Sequence, residues 1–378
     1  MTNHLDFESI RPYQDHEVPA VFDRLTKEQS FMRLLKFLYP EVPADALIHR
    51  LKSIETIHQF QSEIIYPYVK QIMKTTTNGV TISGLDKLDN KRNYLFISNH
   101  RDIILDPAIL NITLLEYGFD TTEIAIGDNL LIYPWITDLV KLNKTFIVKR
   151  NIPVRQMMEA SSLLSSYIRN ALTERKKNIW IAQREGRSKD GDDRTQISLL
   201  KMLNISGQND ISSNFQEMEI VPVSISYEYD PCDYLKAYEF QLKRDLEGYK
   251  KTQTDDLTHM ATGLKGRKGR VHFAFGKPIT EELKKLPPSD NKNELYNGVA
   301  ELIDRQIHDN YRLWPGNYIA LDILNKNQAC ASYYTDEDKI TFMEYIYEHI
   351  SRIDSDEEFI FNTIMEMYAN PVRNANAE

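Results

Sequence analysis

The chain is poor in cysteine: Cys232 and Cys330 are its only two in 378 residues, far apart and in no metal-ligand spacing. That excludes a disulfide framework and a cysteine-bound metal, and it fits a reducing compartment. There is no H-E-x-x-H or Cys/His cluster, so no metal is inferred. Nowhere do about 18 apolar residues run together, so no helix is expected to span a bilayer. The acidic start MTNHLDFESIRPYQDHEVPA contains no apolar h-region, which argues against a secretory signal. Positive charge is also in deficit, with 46 Lys and Arg against 55 Asp and Glu for a net charge of −9. A general nucleic-acid binder is thereby excluded, and any grip on phosphate or anionic lipid falls to local basic clusters. What is present is ordinary globular material, 42% hydrophobic and 27% charged, enough for a sizeable core.

The period of the apolar residues divides the chain into three regions. Over 1–77 it is helical: Leu25, Phe31, Leu34, Leu35 and Leu38 recur at mostly three- and four-residue spacing. Ile57, Phe60, Ile64, Ile65 and Val69 do the same after a break at Pro40 and Pro43. Such faces pack on a neighbouring domain or lie on a membrane surface. Over 78–284 the text alternates. VTISG, YLFISN, EIAIG, TFIVK, NIWIA, EIVPVSISYEY and RVHFAFG read as strands, with helices between them at Asp106–Tyr117 and Val154–Arg175. The expectation is an α/β fold with a central sheet flanked by helices and chemistry at the strand ends. Over 285–378 the chain is helical again, most clearly in NELYNGVAELIDRQI and DKITFMEYIYEHISRI, and the tail NPVRNANAE looks frayed.

The first candidate chemistry sits where YLFISN runs into Asn99-His100-Arg101-Asp102, with Asp106-Pro107 opening the next helix. Asp suits an N-cap and Pro the first helical turn. A carboxylate can hold one imidazole nitrogen so that the other takes a proton from a hydroxyl. The bland alternative is an Asp that merely caps a helix. Thr145-Phe146-Ile147-Val148-Lys149-Arg150 is a strand ending in two cations, able to grip a phosphate or simply solvated. Gln183-Arg184-Glu185-Gly186-Arg187-Ser188 follows NIWIA, and its glycine permits an unusual turn that brings Arg187 and Ser188 towards an anion. A charged surface turn has the same composition. Lys265-Gly266-Arg267-Lys268-Gly269-Arg270 is the densest basic run, read as a solvated loop or a contact for anionic headgroups.

Taken in order, NGVTISGLDKL, YLFISNHRDIILDPAIL, AIGDNLLIYPWITDLVKLNKTFIVKR, IWIAQREGRSKDG, IVPVSISYEY and FAFGKPI resemble the glycerolipid acyltransferase family. That family includes glycerol-3-phosphate and lysophosphatidate acyltransferases, and the resemblance spans roughly residues 78–280. In it, Asn-His precedes an Asp by four intervening residues, whereas five separate His100 from Asp106 here. Asp106-Pro107 is the better equivalent and Asp102 the rival. The aliphatic strand ending in Arg corresponds to 145–150. The aromatic-Pro-Glu-Gly-Thr-Arg-Ser motif is kept as Glu185-Gly186 and Arg187-Ser188 without its Thr and its Phe-Pro, which leaves Arg184 as another cation that could point inward. Ile220–Ile225 corresponds to the apolar, proline-containing motif and reads as core packing.

The resemblance implies an acyltransferase with His100 as base and Asp106 behind it. Arg150, Glu185, Gly186, Arg187 and Ser188 would bind the phosphate-bearing acceptor. It implies no cofactor; acyl-CoA or acyl carrier protein would be the acyl thioester donor and glycerol 3-phosphate or a lysolipid the acceptor. It also implies cytoplasmic, peripheral work on the inner face of the membrane. No Ser lies in a G-x-S-x-G elbow, which argues against a serine acyl-enzyme. The rivals are a different lysolipid or amino-acid lipid as acceptor, or a non-catalytic lipid-binding protein of the same fold.

Overall fold

A computed structural model describes residues 6–150 and 152–376. All seven strand-like runs are strands: β1 (Thr77–Ser83), β2 (Leu95–Ser98), β3 (Glu123–Gly127), β4 (Thr145–Val148), β5 (Ile179–Ala182), β6 (Ile220–Tyr227) and β7 (Gly269–Phe275). They form one mixed sheet in the order β1-β7-β6-β2-β5-β3-β4. Neighbours from β6 to β4 pair in parallel, β6 and β7 pair antiparallel, and β7 and β1 pair in parallel. Five strands therefore point the same way, and the carboxyl ends of β2, β4 and β5 lie along one edge. β2 and β6 are buried along their whole length, which explains why they read as unbroken apolar runs.

Helices cover both faces. Ahead of the sheet come α1 (Val18–Leu25), α2 (Gln29–Leu38), α3 (Ala44–Lys52), α4 (Ile57–Phe60) and α5 (Tyr66–Thr76). Between and after the strands follow α6 (Leu105–Glu116), α7 (Pro134–Leu142), α8 (Val154–Thr173), α9 (Ile197–Asn204) and α10 (Ile211–Gln216). The second half adds α11 (Asp233–Asp245), α12 (Gln253–Lys265), α13 (Thr280–Leu283) and α14 (Lys292–Asp309). The chain closes with α15 (Pro315–Asn325), α16 (Asp336–Ile350) and α17 (Glu357–Ala375).

The pleat divides β2 between two cores. Leu95 and Ile97 face Ile168 and Leu172 of α8 and Val299 and Ile303 of α14. Phe96 faces Ile109 and Leu110 of α6 and Val69 and Ile72 of α5. Burying each such side chain is worth about 1.5–3 kcal/mol, so β2 is fixed from both sides. The segment after residue 285 thus supplies part of the sheet's own cover through α14. Two smaller clusters flank the sheet. One joins α1–α4 to Leu142 of α7, so the apolar stripes of the N-terminal helices pack on the domain. The other joins α11 to α15, α16 and α17.

Three local expectations are corrected. The tail does not fray over its described residues: α17 continues through Pro371 to Ala375, with Tyr368, Ala369, Pro371, Val372 and Asn374 buried. Its polar letters conceal a buried face. The basic run is a solvated loop only in part: Lys265, Arg267 and Arg270 are exposed and Lys268 is not. Lys268 is fully buried, its Nζ donating to Thr76 Oγ1 at 3.0 Å and to Gly266 O at 2.8 Å, and burial pushes its pKa down to about 8. Arg267 lies over the Tyr229 ring and Arg270 pairs with Glu228. Finally, Asp106 is not the N-cap. The helix opens at Leu105, and Asp102 accepts hydrogen bonds from Ile104 N at 2.9 Å and Leu105 N at 2.7 Å.

Candidate active site

The turn after β2 is pinned before it presents any chemistry. Asn99 accepts from Ile225 N at 2.7 Å and donates to Ile225 O at 2.9 Å, locking the end of β2 to β6. Its amide also donates to Asp193 at 3.1 Å, and Arg101 meets the same carboxylate oxygen at 2.5 Å in a buried ion pair. Lys236 of α11, fully buried, donates to the Arg101 carbonyl at 3.1 Å and pairs with Asp230. Removing one partner from buried pairs of this kind costs several kcal/mol, about 3–5, so the backbone around His100 is held stiffly.

His100 emerges from this turn with its Nδ1 2.8 Å from Asp106 Oδ2 and its ring edge-on to Trp180 at 5.3 Å. Asp106 has no exposed surface. The same oxygen accepts from Arg101 N at 2.6 Å and Asp102 N at 3.0 Å, while Tyr227 donates its hydroxyl to the other oxygen at 3.0 Å. Burial, and then Asp106 itself, pushes the Tyr227 phenol well above its ordinary range, so it stays a donor. An acceptor-only carboxylate fixes Nδ1 as the protonated nitrogen, leaving Nε2 as the basic one. Asp102, though nearer in sequence, spends its carboxylate on the helix cap. Burial, followed by Asp106, raises its pKa above the ordinary 3.8.

The candidate cations converge from two other strand ends. Arg150 follows β4; its guanidinium is 3.6 Å from Glu185 and its backbone N donates to Asp128 at 3.2 Å. After β5, Gln183 N continues the ladder to Ser98 O at 2.8 Å, and the chain turns at Gly186, whose φ is +72°. A side chain there would meet no atom within 4 Å, so the glycine serves the left-handed backbone and not space. Beyond it Ser188 N donates to His100 O at 2.9 Å, tying this loop to the His100 turn. The Ser188 hydroxyl donates to Asp190 at 3.3 Å.

His100, Arg150, Arg184, Glu185, Gly186 and Arg187 all line one cavity of about 1630 Å³. It exceeds the roughly 300–1,000 Å³ common for small-molecule sites. Apolar side chains from α2, α5, α6, α7, α8 and α12 form most of its wall, among them Leu38, Ile72, Leu115, Leu139, Met157 and Leu264. Ser188 is not among its lining residues. Neither are Ile220–Ile225, which lie wholly in the core.

Residues 79–226, from β1 to β6, match the family model described as acyltransferase. Over these residues the chain is similar to that family. No curated protein matches the chain. Among solved structures it is similar to the crystal structure of the 1-acyl-sn-glycerophosphate (LPA) acyltransferase PlsC from Thermotoga maritima. The two are 13% identical over 77% of this chain and 93% of that one, with a TM-score of 0.36.

Several residues that build this site escaped sequence reasoning. Tyr227 stood inside a strand read only as core. Asp193 lay in SKDGDDR, a stretch with the composition of a surface turn. His259, on α12, is one of nine scattered histidines and gave no local signal at all.

Proposed function

We propose that this chain is an acyltransferase that moves a fatty acyl group from an acyl thioester to a hydroxyl of a phosphate-bearing glycerolipid precursor. The observation that carries the reading is the His100–Asp106 pair at 2.8 Å beside a large apolar cavity that also holds Arg150 and Arg187. His100 Nε2 takes the proton of the acceptor hydroxyl as its oxygen attacks the thioester carbonyl carbon. The tetrahedral intermediate collapses with cleavage of the carbon–sulfur bond, and the imidazolium returns its proton to the departing thiolate. Asp106 holds Nδ1–H in place and steadies the transient positive charge. Arg150 and Arg187 hold the acceptor phosphate so that the hydroxyl lies beside both base and carbonyl, a positioning effect, and Glu185 orients Arg150. The donor is acyl-CoA or acyl carrier protein and no cofactor takes part. The acceptor is glycerol 3-phosphate or lysophosphatidate, met at the cytoplasmic inner face of a membrane on which the protein sits peripherally.

The test is a purified-protein assay with acyl-CoA and with acyl-loaded carrier protein. The acceptors offered are glycerol 3-phosphate, lysophosphatidate and phosphate-free monoacylglycerol. Transfer to a phosphate-bearing acceptor is expected, and His100→Ala should reduce it by about 10²–10⁴-fold. Transfer that survives His100→Ala, or a preference for monoacylglycerol, would overturn the mechanism or the acceptor class respectively.

A further inference from the structure

Arg187 differs from the other buried or half-buried arginines near the sheet. Arg101 is neutralised by Asp193 and Arg175 by Glu123, each through direct ion pairs. Arg187 is 7% exposed, and the partner of its Nη2 is a neutral ring nitrogen: Nη2 donates to His259 Nδ1 at 2.9 Å. Its Nη1 is buried with no hydrogen-bond partner, in a residue that lines the cavity. His259 is itself buried and stands behind the arginine, outside the cavity lining. Desolvation first, and then the Arg187 charge, press its pKa down to about 2, so the imidazole accepts and never competes as a cation.

The carrier of His259 is placed with little freedom. On α12, four residues further along, Gly263 lies against the active-site turn: a Cβ there would stand 2.0 Å from Asp102 Oδ2. Only glycine lets the helix come this close, and the approach sets where His259 meets Arg187. Cys232 of the loop before α11 donates its thiol to the His259 carbonyl at 3.3 Å, fixing the helix from its other side.

We propose that His259 is a positioning residue that aims the Arg187 guanidinium by a charge-neutral acceptor, so that the full positive charge is kept for an anionic phosphate in the cavity. This rests on the acceptor class given above. A carboxylate in the same place would hold the guanidinium as well or better but would cancel its charge before substrate arrived. Hydrogen bonds alone do not distinguish these two designs. Charge does.

The experiment compares His259→Gln with His259→Glu in the full-length protein, two side chains of nearly equal size and reach that differ in charge. Affinity for glycerol 3-phosphate without donor is read by titration calorimetry, thermal midpoints report folding, and monoacylglycerol binding is the phosphate-free control. The Gln variant is expected to bind glycerol 3-phosphate within about threefold of wild type, and the Glu variant about tenfold or more weaker, as loss of one charge-assisted contact implies. Monoacylglycerol binding should be the same in both. Equal glycerol 3-phosphate affinity in the two variants, or a folded Glu variant that binds as well as wild type, overturns the proposal. His259→Asn, a second neutral acceptor, takes the place of Gln should that variant not fold. Because binding is read without turnover, the proposal is separable from the catalytic reading. The expected order of binding in the His259 variants, together with no transfer by wild type, would remove the catalysis and leave His259's role standing. Wild type that transfers acyl groups yet fails to bind glycerol 3-phosphate would do the reverse.

Discussion

At the scale of residues, the two aspartates flanking the His100 turn have separate work. Asp106 accepts from the imidazole, two backbone amides and Tyr227, whereas Asp102 accepts only from helix amides. Asp106→Asn would offer an amide where Nδ1–H needs a carboxylate and should cut kcat by about 10²–10⁴-fold. Asp102→Asn keeps a good cap and should leave kcat within about threefold. Its effect on stability has a definite sign. The folded-state pKa of Asp102 is raised above 3.8, so the folded state binds the proton more tightly than the unfolded chain. Ionisation therefore removes stability as pH rises above 3.8 and restores it as pH falls below. Asp102→Asn lacks that penalty, so its gain over wild type in urea denaturation is expected near neutral pH and should vanish towards pH 3.8. A gain that instead grows with acidity would refute the assignment. The sequence made both aspartates visible but not their division of labour, because the extra residue between His100 and Asp106 is absorbed by the turn geometry, which no spacing rule encodes.

At the scale of elements, the loop carrying Gly186, Arg187 and Ser188 is held by a helix from the far end of the chain. Asn370 of α17 donates to Asp190 O at 2.7 Å. Tyr368 donates to Asp233 at 3.0 Å and accepts from Asp230 N at 2.9 Å. Burial and Asp233 keep its phenol well above the ordinary range, so it remains a donor. Asn370→Ala should cost about 1 kcal/mol, one net hydrogen bond, and loosen the loop without touching the His100 pair. Faster amide hydrogen exchange over residues 186–192 would report this, and unchanged protection there would show that α17 does not hold the loop. The strands were legible because their apolar runs and period-2 text are local properties. α17 was not, since Asn370 and Asn374 read as solvated tail letters until the surface they cover is known.

At the scale of the whole molecule, the described residues contain no helix long and apolar enough to cross a membrane, yet large apolar side chains are exposed beside the cavity. Val154 is 83% exposed and Met158 70%, at the start of α8; Met157 next to them lines the cavity, and Arg155 interleaves a positive charge. A membrane-facing role predicts that Val154→Asp with Met158→Asp lowers co-sedimentation with anionic phospholipid vesicles by about tenfold or more, since each loses roughly 1.5 kcal/mol of apolar burial. Undiminished binding would move the lipid contact elsewhere. The sequence pattern assigns the stripes of residues 20–75 to packing on a neighbouring domain, with a membrane surface as the alternative; those of α1–α4 pack on one another and on Leu142 of α7, and Leu34, Leu38 and Ile65 also line the cavity. A last consequence concerns the order in which such a molecule is made. β1 finds its partner β7 some 190 residues later, and the loop after β5 waits for Asn370 about 180 residues downstream. Contacts this distant in sequence slow folding. A chain emerging from the ribosome therefore carries His100 beside Asp106 well before Asn370 exists to hold the loop after β5, and the final placement of that loop should come late, when α17 docks.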